Sequence, residues 1–416
     1  MTWKHGASFG AVLSDGTREQ SGYRMKAKLT RREWMRAGLI SGGTLLAGFD
    51  KLARARARFA GQKDAFARGR LLGQVDFSGE RPAQMDAAFG AELDGRLYTD
   101  LSLLDGTDLV TPTEKFYIRT RASELLPDPR SWQVSMGGLA SKPSPLGIAE
   151  LKKSAKPMGL HLMECAGNVR MAHFGMISVG DWVGVRIAEL LDSAKVKPEA
   201  TRVLISGFDR YTAASATSVP GASWIFTPEE LRTAGAFLAI ELNGQPLTRD
   251  HGAPVRLVVP GWYGCTCIKW VDSITLLDDK AAATSQMQEY AARTLQRGMP
   301  LLAREYLPAT IDCAAMPIRV EKWLVDEKIR YRVMGISWGG TRPVKVLEIR
   351  FNPEEEYVRV DNFSQDKNDP WTVWSHDWSP TAPGSYSIRL AVKDPPVQAR
   401  KLNSGYYVRS VEIAEI

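Results

Sequence analysis

Residues 238–271 read LAIELNGQPLTRDHGAPVRLVVPGWYGCTCIKWV. Leu238–Leu242 and Val255–Val259 are short apolar runs within it, and at that length they read as strands. Around them the stretch spaces out His251, Arg256 and Lys269, with glycines at 252, 261 and 264. The chain shows no internal repeat, so this dense pattern of glycine, proline and cation occurs once.

Working outward, the upstream segments read as a mixed unit. Phe116–Arg119, Trp132–Met136 and Thr201–Ser206 have strand character. The apolar run Gly159–Met163 ends at Cys165, as a strand followed by a loop. Val185–Leu191 has helical spacing, and Thr227–Ala234 opens as a helix with Thr227 as cap and Pro228 at the first position. Together these predict a mixed α/β unit of roughly 200 residues. Downstream, residues 281–304 have the composition of a helical connector. From Ile318 onward short alternating runs follow one another: Arg330–Val333, Val344–Phe351, Tyr357–Val360, Ser385–Val392 and Tyr406–Ile413. Turn signals separate them, which predicts an antiparallel β-sandwich of immunoglobulin type, without cysteines at sandwich spacing.

The chain has 416 residues and a formal charge of +7. A basic balance raises nucleic acid as a partner, but its placement excludes that here. Residues 1–58 hold twelve Lys/Arg and four Asp/Glu, which leaves the rest of the chain at −1. Inside that leader, Arg31-Arg32 precedes an apolar, small-residue stretch from Ala37 to Phe49, and Ala53-Arg54-Ala55 and Ala55-Arg56-Ala57 offer cleavage sites. Thirteen residues are too few to span a bilayer, which takes about 20. The paired arginines and the small-residue site predict a twin-arginine export signal and a periplasmic protein. That route carries folded proteins, often around a cofactor. Four cysteines, Cys165, Cys265, Cys267 and Cys313, are too sparse for a disulfide scaffold and lack zinc or haem-attachment spacing.

Cys165 lies in Met163-Glu164-Cys165-Ala166-Gly167-Asn168-Val169-Arg170. A thiolate at a strand end beside a glycine can approach a metal closely. Arg119 and Arg170 are candidates to hold it deprotonated and to attract an anion.

The two stretches together resemble the sulfite oxidase family of molybdopterin enzymes. The resemblance rests on N-G-x-P-L-x-x-D-H-G-x-P-x-R-x-x-x-P-G…K-W over 243–270 and on Cys-Ala-Gly-Asn at 165–168. Gly335–Gly340 and Pro370–Trp374 resemble the family's C-terminal dimerisation domain. The similarity spans roughly residues 110–416. It implies an α+β chain, with a mixed α/β sulfite oxidase-type molybdopterin domain at 111–305 and an immunoglobulin-like dimerisation domain at 306–416. The signal region at 1–58 and an extension at 59–110 precede them.

The resemblance implies roles as well. Cys165 becomes the thiolate ligand to molybdenum in a Mo-molybdopterin cofactor. His251, Arg256, Gly264 and Lys269 fall where the pterin and its phosphate are held, and arginine suits a dianionic phosphate. Arg119, Arg170, Trp182, Tyr290 and Arg400 fall at the substrate pocket, where arginines supply donors in fixed planes to an anion. The implied reaction is oxidation of sulfite, or a related inorganic sulfur anion, to sulfate by oxygen-atom transfer. With no haem segment ahead of the similar region, electrons pass to cytochrome c or a similar external carrier, and a homodimer is expected. Two departures bear on this. Thr120-Arg121 stands where the family commonly has Asn-His, which makes Arg121 the candidate replacement at the cofactor phosphate. Val169 stands where the sulfite-oxidising motif has arginine, so the cofactor is better defined than the substrate. Sulfane-sulfur dehydrogenation, sulfoxide reduction and a non-catalytic periplasmic binding protein are the alternatives. Cys265 and Cys267 read as packing thiols, because a C-x-C pair strains a disulfide.

Overall fold

A computed structural model describes residues 65–80, 94–104, 106, 108–121, 128–209, 221–365, 369–394 and 397–416, with backbone alone at 65, 94, 95 and 121. The basic leader expected over residues 1–58 lies outside them.

The polypeptide is built mainly from strands, with short helices at their ends. One antiparallel sheet runs Gln245–Pro246, Phe237–Leu242, Ile177–Arg186, Lys156–Glu164, and Arg256–Val258 also pairs with Phe237–Leu242. A second, mixed sheet runs Leu146–Gly147, Gln133–Gly138, Val271–Leu277, Arg202–Gly207, Ser223–Phe226. Its parallel pair is Val271–Leu277 with Gln133–Gly138. A two-stranded sheet pairs Asp94–Leu97 with Ile118–Arg121, and two four-stranded antiparallel sheets complete the described residues. The latter are Arg70–Val75, Ala314–Val325, Lys328–Trp338, Trp371–Trp378, and Val358–Arg359, Leu347–Arg350, Gly384–Val392, Arg409–Ile413. The strand Gly384–Val392 shows why such segments pair. Tyr386, Ile388 and Leu390 alternate inward while their neighbours are half-buried or exposed, the period of two that a one-sided sheet requires.

Buried side chains from Leu101 to Ile413 form one contiguous core. That core crosses residue 305, where the sequence suggests a change of domain.

Several elements differ from their sequence expectation for physical reasons. Val185 and Arg186 finish the strand Ile177–Arg186, and the helix begins at Ile187. Val185 is held opposite Leu238, while Ile187, Leu190, Leu191 and Ala194 form the buried helical face. The capped helix stands as expected. Thr227 Oγ1 accepts from the Glu230 amide at 3.0 Å, and a Glu230 carboxylate oxygen accepts from the Thr227 amide at 2.7 Å. The connector at 281–304 is helical only over Ser285–Tyr290, followed by single 3-10 turns at Ala292–Thr294 and Ala303–Glu305. Leu295 and Gly298 have φ of 64° and 70° and break it, so helical composition was overruled by backbone turns. Arg70–Val75, in a region without periodicity, joins the edge of the C-terminal sheet. Arg409 forms an ion pair with Glu80 that holds the segment down.

Candidate active site

Cys165 follows directly on the strand Lys156–Glu164 and is buried. Its amide donates to Met176 O at 2.9 Å, and its carbonyl accepts from the Asn168 amide at 2.9 Å. That tight turn is clamped from both sides. Asn168 Oδ1 accepts from the Met176 amide at 3.0 Å, and Tyr406 Oη donates to Asn168 O at 2.6 Å. Glu164, fully buried behind the cysteine, accepts from Trp338 Nε1 at 2.8 Å and from Tyr407 Oη at 3.3 Å. The cysteine loop is thus pinned to the C-terminal strands. Gly264 completes the floor, because a Cβ there would lie 2.7 Å from Tyr117 Oη and 3.2 Å from Glu164 O. Any larger residue would push the Gly264–Thr266 turn off the cysteine strand.

Burial holds the Cys165 thiol above its ordinary range, and the Gly167 amide and the charges of Arg119 and Arg293 offset only part of that rise. Arg293 was not found from sequence. Its guanidinium lies against the cysteine loop, since a Cβ on Gly167 would sit 3.5 Å from Arg293 Nη1. It also stacks 5.2 Å from the Tyr290 ring. The available signal was its position three residues after Tyr290, in the 3-10 turn that follows the helix. Tyr290 is half-buried, with the charges of Cys165, Glu289 and Cys265 acting on its phenol after burial.

Three of the expected pocket residues are engaged elsewhere. Arg170 is exposed, donates to Val408 O, and is not among the charges acting on Cys165. Arg400 grips Asp312 with both arms, Nε to Oδ2 at 2.8 Å and Nη2 to Oδ1 at 3.0 Å. Trp182 is wholly buried, packed against Phe116 with ring centroids 5.8 Å apart and lying 5.8 Å from the Arg256 guanidinium. It supports the arginine from behind. The neighbour of Arg400, Lys401, faces the site instead. Its Nζ lies 4.4 Å from the Tyr263 ring and 5.5 Å from the Tyr406 ring.

Beside the cysteine lies a cationic cradle. Arg256 is buried and donates from Nη1 to His251 O and from Nη2 to Cys267 O, both at 3.0 Å, leaving Nε without a partner. Lys269 Nζ donates to Thr120 Oγ1, Asp250 O and, at 3.4 Å, Arg119 O. Burial, then Arg256, push its ammonium well below the usual lysine range. Among the described residues, no carboxylate forms an ion pair with Arg256 or Lys269. A buried guanidinium with an orphaned donor and a half-buried ammonium, neither in an ion pair with a carboxylate, fit an anionic group. Gly252, at φ 103°, lets this loop fold over; a Cβ would fall 2.9 Å from Arg256 Cβ. The Arg121 backbone pairs with Asp94, but its side chain lies outside the described residues. Cys265 and Cys267 are buried free thiols.

His251 differs in character from the cation that a phosphate site suggests. Its Nε2 faces Phe116 O at 3.2 Å and must donate there, so Nδ1 accepts from Thr248 Oγ1 at 2.8 Å. Burial above all, with Lys269 and Arg256 nearby, depresses its pKa to about 4, so the ring is neutral near pH 7. The folded value lies below the unfolded one, near 6.5. His251 therefore contributes stability above pH 6.5 that is lost as pH falls through about 4. The shift corresponds to about 3 kcal/mol at 1.36 kcal/mol per unit. In acid unfolding between pH 7 and 4, His251→Gln is expected to flatten the loss of stability. An unchanged slope would overturn the assignment.

A strand that ends in a buried thiol, with arginine charges acting on it, thus lies next to a cationic cradle. Residues 122–286 match the family model described as "Oxidoreductase molybdopterin binding domain". The matched residues carry an oxidoreductase molybdopterin-binding domain, and the chain is similar to members of the sulfite oxidase family. It is 26% identical over 336 residues to the mitochondrial sulfite oxidase of Drosophila melanogaster, covering 74% of this chain and 56% of that protein. It is 25% identical over 295 residues to the NADPH nitrate reductase of Fusarium oxysporum, covering 59% of this chain and 32% of that one. The chain therefore spans between a third and just over half of these relatives' lengths. In fold it is similar to the sulfane dehydrogenase SoxCD from Paracoccus pantotrophus, with a TM-score of 0.59 at 18% identity over 86% of this chain and 96% of that one.

Proposed function

We propose that this protein is a molybdenum–pterin enzyme that oxidises sulfite, or a related sulfur oxyanion, and hands the electrons to an external carrier such as cytochrome c. The observation that carries the reading is the cysteine at the centre of separate positive regions. Arg119 and Arg293 act on the thiol, and Arg256 with Lys269 forms the cradle beside it. Among the described residues, no group of three or more His, Cys, Asp or Glu could hold a metal alone. A metal on Cys165 would take its other ligands from an organic group, and the cradle suits that group's phosphate. When bound, the molybdenum–pterin group supplies the two-electron redox change.

The chain's own residues do the positioning. Cys165 holds the metal through its thiolate, with Gly167 N–H and the arginines stabilising the anionic sulfur. Arg256 and Lys269 hold the cofactor phosphate, and neutral His251 fixes the loop through Phe116 O. Arg119, Arg293 and Tyr290 orient an anionic substrate and stabilise charge as it develops. The two C-terminal sheets are read as the immunoglobulin-like dimerisation domain of a homodimer. The paired arginines near residue 31 are read as the signal for twin-arginine export to the periplasm.

A second reading has its own support. Val169 and Met171, on the rim of the cysteine loop, are 38% and 92% exposed. An apolar rim beside cations favours a sulfur atom carried on a larger molecule, which is the sulfane-dehydrogenase alternative. One experiment separates the readings: molybdenum and pterin analysis of natively exported protein, then turnover with sulfite and with a protein-bound persulfide, using ferricyanide as acceptor. Sulfite turnover at full molybdenum loading is the expected result. Full loading with turnover of the persulfide alone would replace the first reading with the second, and protein without molybdenum would overturn both.

A further inference from the structure

Lys401 is the most unusual cation in the molecule. It is 9% exposed, lies on the short helix Arg400–Asn403, and its Nζ is buried with no hydrogen-bond partner. Two aromatic faces, Tyr263 and Tyr406, are the groups that approach it, at 4.4 and 5.5 Å. The charges that act on it after burial are those of Glu164, Cys165, Cys265 and Asp312. Glu164 is already taken up by Trp338, Tyr407 and Asn168 and forms no ion pair with Lys401. Asp312 is gripped by Arg400. An ammonium carries three donors, and burying it without an acceptor is costly. The aromatic faces offset part of that cost. The remainder calls for an atom that accepts hydrogen bonds, near Cys165 and Cys265, whose charges act on the ammonium.

We infer that Lys401, rather than Arg400 beside it, is the C-terminal residue that binds an oxygen of the substrate oxyanion. A flat guanidinium spreads donors over a plane, whereas an ammonium is a point charge. Lys401 therefore selects a compact oxyanion, such as a sulfur anion with terminal oxygens, over a neutral sulfoxide. This rests on the sulfur-oxyanion reading above, with Lys401 as its specificity-determining residue.

The test uses full-length, molybdenum-loaded protein and two substitutions, Lys401→Met and Lys401→Arg. Sulfate, a product-like dianion, is titrated calorimetrically, and sulfite kinetics and thermal unfolding are measured on the same samples. For Lys401→Met, the sulfate Kd and the sulfite KM are each expected to rise about tenfold or more, with kcat changed far less. Its unfolding midpoint stays level or rises, because a buried charge without a partner is gone. Lys401→Arg should keep most of the affinity. Lys401→Met with unchanged sulfate affinity would overturn the inference alone, most plainly if its midpoint also fell, the behaviour of a mere counter-charge to Glu164. Wild-type protein that neither binds sulfate nor oxidises sulfite would overturn the underlying reading, and this inference with it.

Discussion

Cys165→Ala is expected to lower turnover by at least about a thousandfold while leaving the protein folded. Three decades correspond to about 4 kcal/mol in the barrier. The fold tolerates the change because the turn is held by backbone and neighbours rather than by sulfur. The amide and carbonyl of residue 165 keep their bonds to Met176 and Asn168, and Tyr406 and Trp338 keep theirs to Asn168 and Glu164. Only the sulfur contact with the Gly167 amide disappears. Ferricyanide reduction by sulfite, normalised to molybdenum content, reads the effect. If the alanine variant turned over within tenfold of wild type at equal loading, Cys165 could not be the metal's thiolate.

The second large effect concerns the cradle. Arg256→Met is expected to yield folded protein with less than about a tenth of the wild-type pterin content. A hydrogen bond to a charged group is worth about 1.5–3 kcal/mol, which is one to two decades in retention. Two opposing terms keep the apoprotein near its original stability. The variant loses a desolvated guanidinium that no carboxylate balances, but it strands the carbonyls of His251 and Cys267. Pterin fluorescence after acid oxidation, beside a melting curve, reads both. Full pterin content in this variant would place the cofactor elsewhere.

Much of this site could be read from residue order, because its anchors sit in short, punctuated runs. Cys165 ends an apolar strand, and Arg256 and Lys269 flank glycine turns, so local pattern and tertiary place coincide. The capped helix at Pro228–Thr233 was legible for the same reason: both halves of its capping box lie within three residues. What stayed hidden depends on distance in space. Nothing near Arg400 announces that Asp312, 4% exposed at its side chain, will claim it and leave the next residue to face the thiol. Nothing near Arg170 announces the Val408 carbonyl. Trp182 reads equally well as pocket wall or core on a strand buried along most of its length. The strand Arg70–Val75 escaped notice because edge pairing is supplied by its partner, not by its own alternation.

That edge strand has a consequence for biogenesis. Val75 lies opposite Val320, so the segment is synthesised early and waits for most of the chain before it finds its place. Pairings so distant in sequence form slowly. Until then, Leu71 and Leu72 have no sheet to join and the flank of Ala314–Val325 stays open, an invitation to other nascent chains. The time at which the last strands arrive therefore sets how long that edge is open to wrong pairing.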